Sequence, residues 1–156
     1  MITKANVLSE IRRVLETRLA GLRVEHKEAL RRATPRTGSE VWESAFLIQE
    51  KAIKANLTEA QEVALLPPRD KISHGSLARL RITETKRQSR EWWLIVARLS
   101  RFISSIAVEG EKVLIHDGQL GSESLIGKGA GDHIENPFWH GDGRDKIVRI
   151  EVLSVY

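Results

Sequence analysis

From Leu8 to Leu30 the apolar and partly apolar positions recur as Leu8, Ile11, Leu15, Leu19, Leu22, His26 and Leu30. Steps of three and four stay on one face of a helix, so the segment is predicted to be a long amphipathic helix. Between the stripe positions lie Glu10, Arg12, Arg13, Glu16, Arg18, Arg23, Glu25 and Lys27, a solvated face that little glycine or proline interrupts. Pro35 and Gly38 break the pattern within 33–39 and predict a turn. Apolar spacing resumes as Trp42, Phe46, Ile53, Leu57, Ala60 and Ala64, flanked by Val41, Ala45, Ile48 and Ala52, until Pro67 and Pro68 stop it. Two stripes of matched length joined by a short turn bury each other best as an antiparallel hairpin. A helix over residues 5–33 would span roughly 44 Å, so the hairpin is predicted to protrude as a rod.

After Pro68 the period shortens. Ala78, Leu80 and Ile82 alternate with Leu77, Arg79 and Arg81; Val148, Ile150 and Val152 alternate with Arg149, Glu151 and Leu153. Both are strand signatures. Residues 92–96, Trp-Trp-Leu-Ile-Val, read as a buried strand, and Ile106-Ala107-Val108 and Val113-Leu114-Ile115 flank a hairpin turn at Glu109-Gly110. The expected fold class is therefore α+β: a helical hairpin over 1–67 with its tip near 34–43, then a compact antiparallel sheet over 70–156.

Composition narrows the function classes. The 156 residues are 41% hydrophobic and 29% charged, in the range of folded globular chains. With no cysteine, disulfides, thiolate metal sites and cysteine nucleophiles are excluded. The first residues lack a signal-peptide core, and no window approaches the ~18 apolar residues of a membrane span, so a cytoplasmic protein is expected. The net charge of +4 is mild and evenly spread, with 11 basic and 9 acidic residues before Pro67 and 14 and 12 after it. Neither half is a basic nucleic-acid arm.

The glycine-rich string from Leu120 to Asp132 invites a phosphate-loop reading, but its spacing fails. Five residues separate Gly121 from Gly127 where four are required, and Gly129 stands where Ser or Thr should follow Lys128. The portion Ser124-Leu125-Ile126-Gly127-Lys128-Gly129-Ala130-Gly131-Asp132 instead resembles the carboxy-terminal signature of the Gre family of bacterial transcript-cleavage factors. Residues 72–80 look like that family's first strand and 150–156 like its closing strand, with a helical hairpin in front of both. The order covers nearly the whole chain. There are departures: Gln119-Leu120 stands where the family carries Ser-Pro, Ser124 replaces an alanine, and 136–144 form a longer, Trp-containing tip.

The resemblance implies an FKBP-like second domain that docks on RNA polymerase while the hairpin enters the secondary channel. It implies Gln119, Leu120, Leu125 and Ile126 as docking residues. It also implies that tip acids help hold a second Mg2+ in the polymerase's own active centre, stimulating cleavage of backtracked RNA, so the chain itself would be no enzyme. Glu40 and Glu43 match the three-residue separation of those acids, and carboxylates supply the hard oxygen ligands that magnesium prefers. Arg31, Arg32 and Arg36 near the tip would meet RNA phosphates. No cofactor bound stably by the chain is expected, and a monomer is.

Alternatives stand beside this. Ser39 as a helix cap with acids in the first turn explains Glu40 and Glu43 without metal. Val41-Trp42 between the acids favours a channel-entering regulator or inhibitor that does not cleave. Arg79, Arg81, Lys86, Arg87, Arg90, Arg98 and Arg101, with Trp92 and Trp93 among them, leave open a small module binding DNA or RNA, or another protein, with the hairpin serving for dimerisation. Trp42 and Phe46 are assigned to the hairpin core rather than to base stacking. His133, His140 and Asp142 match no established metal spacing.

Overall fold

The computed structural model describes residues 1–32, 39–86, 88–99, 103–120, 122–139 and 146–156, and for 39–42 the backbone alone. Thr3 starts helix α1 (Lys4–Arg32): its Oγ1 accepts from the Asn6 amide at 3.2 Å, and its carbonyl takes the first helical bond from Val7 at 3.0 Å. Ile2 and Val7, at the two positions of a hydrophobic staple around that cap, are both buried in one cluster. Helix α2 (Ser39–Leu65) returns alongside and ends just before the two prolines.

Strands β1 (Leu77–Glu84), β2 (Ser89–Val96), β3 (Ser105–Val108), β4 (Glu111–His116), β7 (His133–Glu135) and β8 (Ile147–Val155) form one sheet in the order β3-β4-β2-β1-β8-β7. Strands β5 (Gln119–Leu120) and β6 (Glu123–Ser124) make a separate small hairpin. The segment 72–76, read as part of the first strand, is instead a turn ahead of β1, with Gly75 at φ 85°. The Glu109-Gly110 turn joins β3 to β4 with φ of 51° and 81°, the positive pair a two-residue hairpin loop demands.

The expectation of a wholly antiparallel sheet is corrected, because β2 and β4 run parallel from Trp93↔Val113 to Val96↔His116. The reason lies in burial. Val113, Leu114 and Ile115 are buried on both sides of the sheet, whereas Ser104 and Ala107 are exposed. The more apolar arm of the β3–β4 hairpin therefore takes the inner position and the weaker arm the edge.

Alternation along the strands sends side chains into two cores. One face contributes Leu77, Ile95, Ile106, Val108, Val113 and Ile115 to a cluster completed by the helices through Val7, Leu8, Ile11, Leu15, Leu22, Ile53, Ala60 and Val63. The base of the hairpin thus shares its core with the sheet. The other face gathers Leu80, Ile82, Leu94, Leu114, Ile134, Ile150 and Val152 with Ile72, Leu120 and Leu125 from outside the sheet. The inner face of α2 also differs from its predicted stripe: Val63 and Asn56 are buried while Ala64 is exposed. Near its end α2 serves the sheet as well as α1, which turns the buried face away from the simple two-helix seam.

Candidate functional site

Beyond Leu22 on α1 and before Ile53 on α2 no described residue is fully buried, and the hairpin is held by side chains of the two helices alone. His26 stacks on Phe46 with ring centroids 4.8 Å apart and planes 21° from parallel. The Nε2 of that histidine is buried without a partner among the described residues. One step closer to the sheet, Arg23 reaches Glu50 across the seam at 3.3 Å, and Lys54 reaches the same oxygen at 2.7 Å. Hydrogen bonds from Lys54 and then Arg23 hold the Glu50 carboxyl below its usual range. Val24, Leu47 and Ile48 are exposed on this part of the rod.

At the far end, Arg31 and Arg32 occupy the last turn of α1, both exposed, with Arg32 4.0 Å from Glu28. Arg36 and the predicted turn lie outside the described residues. Glu40 and Glu43 fall in the first turn of α2, three residues apart on one helical face. Glu43 is exposed; the side chains of Glu40 and Trp42 lie outside the description. The structure thus gathers Arg31, Arg32 and Glu43 at the end of the rod opposite the sheet.

The signature string turns out to be built from backbone requirements. Leu125 is fully buried, Gly127 and Gly131 have φ of 87° and 90°, and the Asp132 carboxylate accepts from the Gly129 amide at 2.8 Å. The Gly127 amide donates to Ile72 and the Gly131 amide to Val152, both at 2.8 Å. Those three glycine amides are therefore spent on internal bonds rather than left to face an anion. Of the four docking residues implied by resemblance, Leu120 and Leu125 are buried at 1% and 0% exposure, so their side chains meet no partner. Gln119 and Ile126 do reach the surface, with Ile126 lying over Gly118.

Beside Ile126 the edge of this face carries aromatic side chains. Trp139 meets Trp92 edge-on at 6.0 Å and His116 at 5.5 Å, while Phe138 is 78% exposed. Residues 140–145, which include His140 and Asp142, lie outside the description; His133 pairs with Glu135 at 3.6 Å. Among the described residues no cluster of His, Asp and Glu is arranged to hold a metal ion.

The arginines of the strand region do not converge. Arg79 and Arg81 emerge on the helix side of the sheet, where Glu91 binds both and Glu151 binds Arg81, and Arg79 lies over the Trp93 ring at 5.7 Å. By alternation Arg90 lies on the opposite side, and Arg98 follows β2 at the hairpin junction. Arg87 and Arg101 lie outside the description. Trp92 and Trp93, assigned to the core, are half-buried on opposite faces, and the Trp93 indole donates to Glu111 at 2.6 Å.

At the base of the hairpin, a groove of about 630 Å³ runs between the helices past Lys4, Leu8, Leu57, Leu66, Pro68 and Tyr156. Lys4 donates to the Leu66 carbonyl at 2.9 Å, and partial burial pushes its ammonium below the usual lysine range. No helix among the described residues is long and apolar enough to cross a membrane.

No protein-family model matches the sequence, and no curated protein matches it. Among solved structures, the chain is similar to the crystal structure of GreA factor homolog 1 of Thermus thermophilus, with 14% identity over 96% of this chain and 92% of that one and a TM-score of 0.35.

Proposed function

We propose that this chain is an accessory factor of bacterial RNA polymerase that binds by its β domain and inserts the helical hairpin into the secondary channel. The observation that carries the reading is the rod itself. Its base is anchored in the sheet's core, and its outer half is clear of that core and ends in Arg31, Arg32 and Glu43. A tip of this kind delivers a few charged groups into a narrow space at a distance set by helix length, about 44 Å for the 29 residues of α1. The resemblance of 124–132 to the Gre signature supplies the partner, and the FKBP-like fold of the second domain belongs to the same proposal.

In this reading Glu40 and Glu43 would supply carboxylate ligands to a Mg2+ ion shared with the polymerase, which would provide Lewis-acid chemistry for the polymerase's own hydrolysis of RNA, and Arg31, Arg32 and Arg36 would meet the phosphates of the backtracked RNA. The chain performs no hydrolysis alone, works as a monomer in the cytoplasm and needs no cofactor of its own. Gln119 and Ile126 are left as the exposed members of the docking set. A second reading, a regulator that occupies the channel without cleaving, is favoured by the apolar pair Val41-Trp42 between the two acids.

A stalled elongation complex with backtracked RNA tests both. Cleavage stimulated by the wild-type chain and lost in a Glu40→Ala, Glu43→Ala double variant supports the first reading. Binding and slowed transcription without cleavage select the second. No interaction with polymerase in a pull-down overturns both. The nucleic-acid module predicts tight, salt-sensitive gel shifts without polymerase; the neutralised Arg79 and Arg81 and the scattered remaining arginines weigh against it.

A further inference from the structure

Glu109 in the β3–β4 turn takes Asn6 of α1 at 3.1 Å, and a second carboxylate ties the other helix to the sheet. Glu59 lies on α2 with its side chain only 16% exposed, and its Oε1 meets two groups of the β domain, from the adjacent segments before β1 and after β2. The backbone amide of Arg98, just past the end of β2, donates at 2.9 Å. The Nε2 of His74, in the turn ahead of β1, lies 3.0 Å away. Asn56, one helical turn earlier, is 3% exposed beside Ala97 and Leu99, so this stretch of α2 turns polar side chains inward where its neighbours Ile53, Ala60 and Val63 are apolar.

We infer that Glu59 is a positioning residue that fixes the direction of the hairpin relative to the sheet. The shared core binds the helices to the sheet by apolar contact, which is strong but non-directional and allows a helix to slide or swing. A hydrogen bond to a buried carboxylate is directional and short-ranged. A single bond leaves rotation about itself. The Arg98 hydrogen bond and the His74 contact converge on one oxygen from the adjoining segments before β1 and after β2, and the second contact resists that rotation. Gly75 adds a steric stop: a Cβ there would stand 2.7 Å from the Leu66 side chain, so the linker packs directly on the turn that carries His74. A small angular change at the base moves the end of a rod of this length by many ångströms, so the latch decides where Glu43 is presented. That consequence rests on the function proposed above; the latch itself does not.

The chain has no cysteine, which makes a spin-label test direct. Nitroxides at Lys27→Cys on the rod and Gln88→Cys on the sheet, both exposed positions, report the angle in the isolated protein by electron–electron double resonance. A single narrow distance peak is expected for the otherwise wild-type chain and for Glu59→Gln, whose carbonyl oxygen still accepts the Arg98 amide and keeps the side chain's shape against His74. Glu59→Leu is expected to widen or displace the peak while circular dichroism keeps its helix content. An unchanged peak in folded Glu59→Leu overturns the latch. Should that variant not fold, His74→Phe removes one tie and keeps the ring; a displaced or wider peak supports the latch and an unchanged one overturns it. On polymerase, Glu59→Leu is expected to bind as wild type does and to lose the tip's effect on transcription. If the wild-type chain has no such effect, the functional reading fails while the distance measurement still decides the latch.

Discussion

The two halves of the hairpin are made of similar residues and held in different ways. Near the base, Leu8, Ile11, Leu15, Ala60 and Val63 pack against sheet residues from four strands. Past Leu22, the described residues of α1 and α2 meet each other through the His26–Phe46 stack and the Arg23–Glu50–Lys54 pairs. A helix pair without a third layer buries little apolar area, so the outer half is expected to be locally less stable than the base. That is compatible with a tip that works by reaching rather than by folding around something.

Substitutions on each side separate the halves. Leu77→Ala, at the centre of the shared core, is expected to cost about 2–5 kcal/mol in urea unfolding, because it removes a fully buried side chain between sheet and helices. Gly127→Ala is expected to cost about 1–2 kcal/mol: nothing lies within 4 Å of the added Cβ, so the penalty is the left-handed backbone alone. Phe46→Ala in the outer rod should cost about 1 kcal/mol, near half the value of fully burying a ring, since Phe46 is half-buried. A loss there as large as that at Leu77 would show that the rod is not the weaker half.

Glu43→Ala is expected to leave stability within about 0.5 kcal/mol of wild type, as befits an exposed residue outside both cores, and under the cleavage reading proposed above to remove stimulated cleavage. The smallest effect is at Glu50. Its lowered folded-state pKa means that its contribution is present above the unfolded value of 4.5 and is lost as the pH falls through the folded value. Glu50→Gln should therefore flatten the acid limb of the unfolding profile, with the difference shrinking in high salt because the group is solvent-facing.

Both helices were legible because a 3.6-residue period over some thirty positions leaves little else to fit, and Pro35, Gly38 and Pro67 mark their ends. Strands β1 and β8 were legible by the same argument at period two and β2, β3 and β4 as short apolar runs, whereas β5, β6 and β7, of two or three residues each, are too short to leave a pattern. What the pattern could not carry was partnership. Nothing in Val113-Leu114-Ile115 says that it lies parallel to β2, because periodicity names a face and not a neighbour. Val63 and Asn56 went unassigned because the stripe was drawn for a two-helix seam, whereas that end of α2 also meets the sheet. The Glu59–His74 pair was missed for the same reason: it joins residues 15 positions apart through a packing no local rule anticipates. In the string 119–126, the resemblance implies Leu120 and Leu125 as docking residues, and their burial instead has them filling the core, because a motif does not distinguish a packing residue from a contact.

The central strand β1 pairs on one side with β2, its neighbour in sequence, and on the other with β8, near the opposite end of the sequence. Closing such a loop is slow compared with forming a helical hairpin from adjacent segments. During synthesis the rod can form first, yet Leu80, Ile82 and the rest of the second core stay uncovered until residues 147–155 have been made. Those nine residues close the second core, so truncations within β8 should yield aggregates rather than a shortened folded chain.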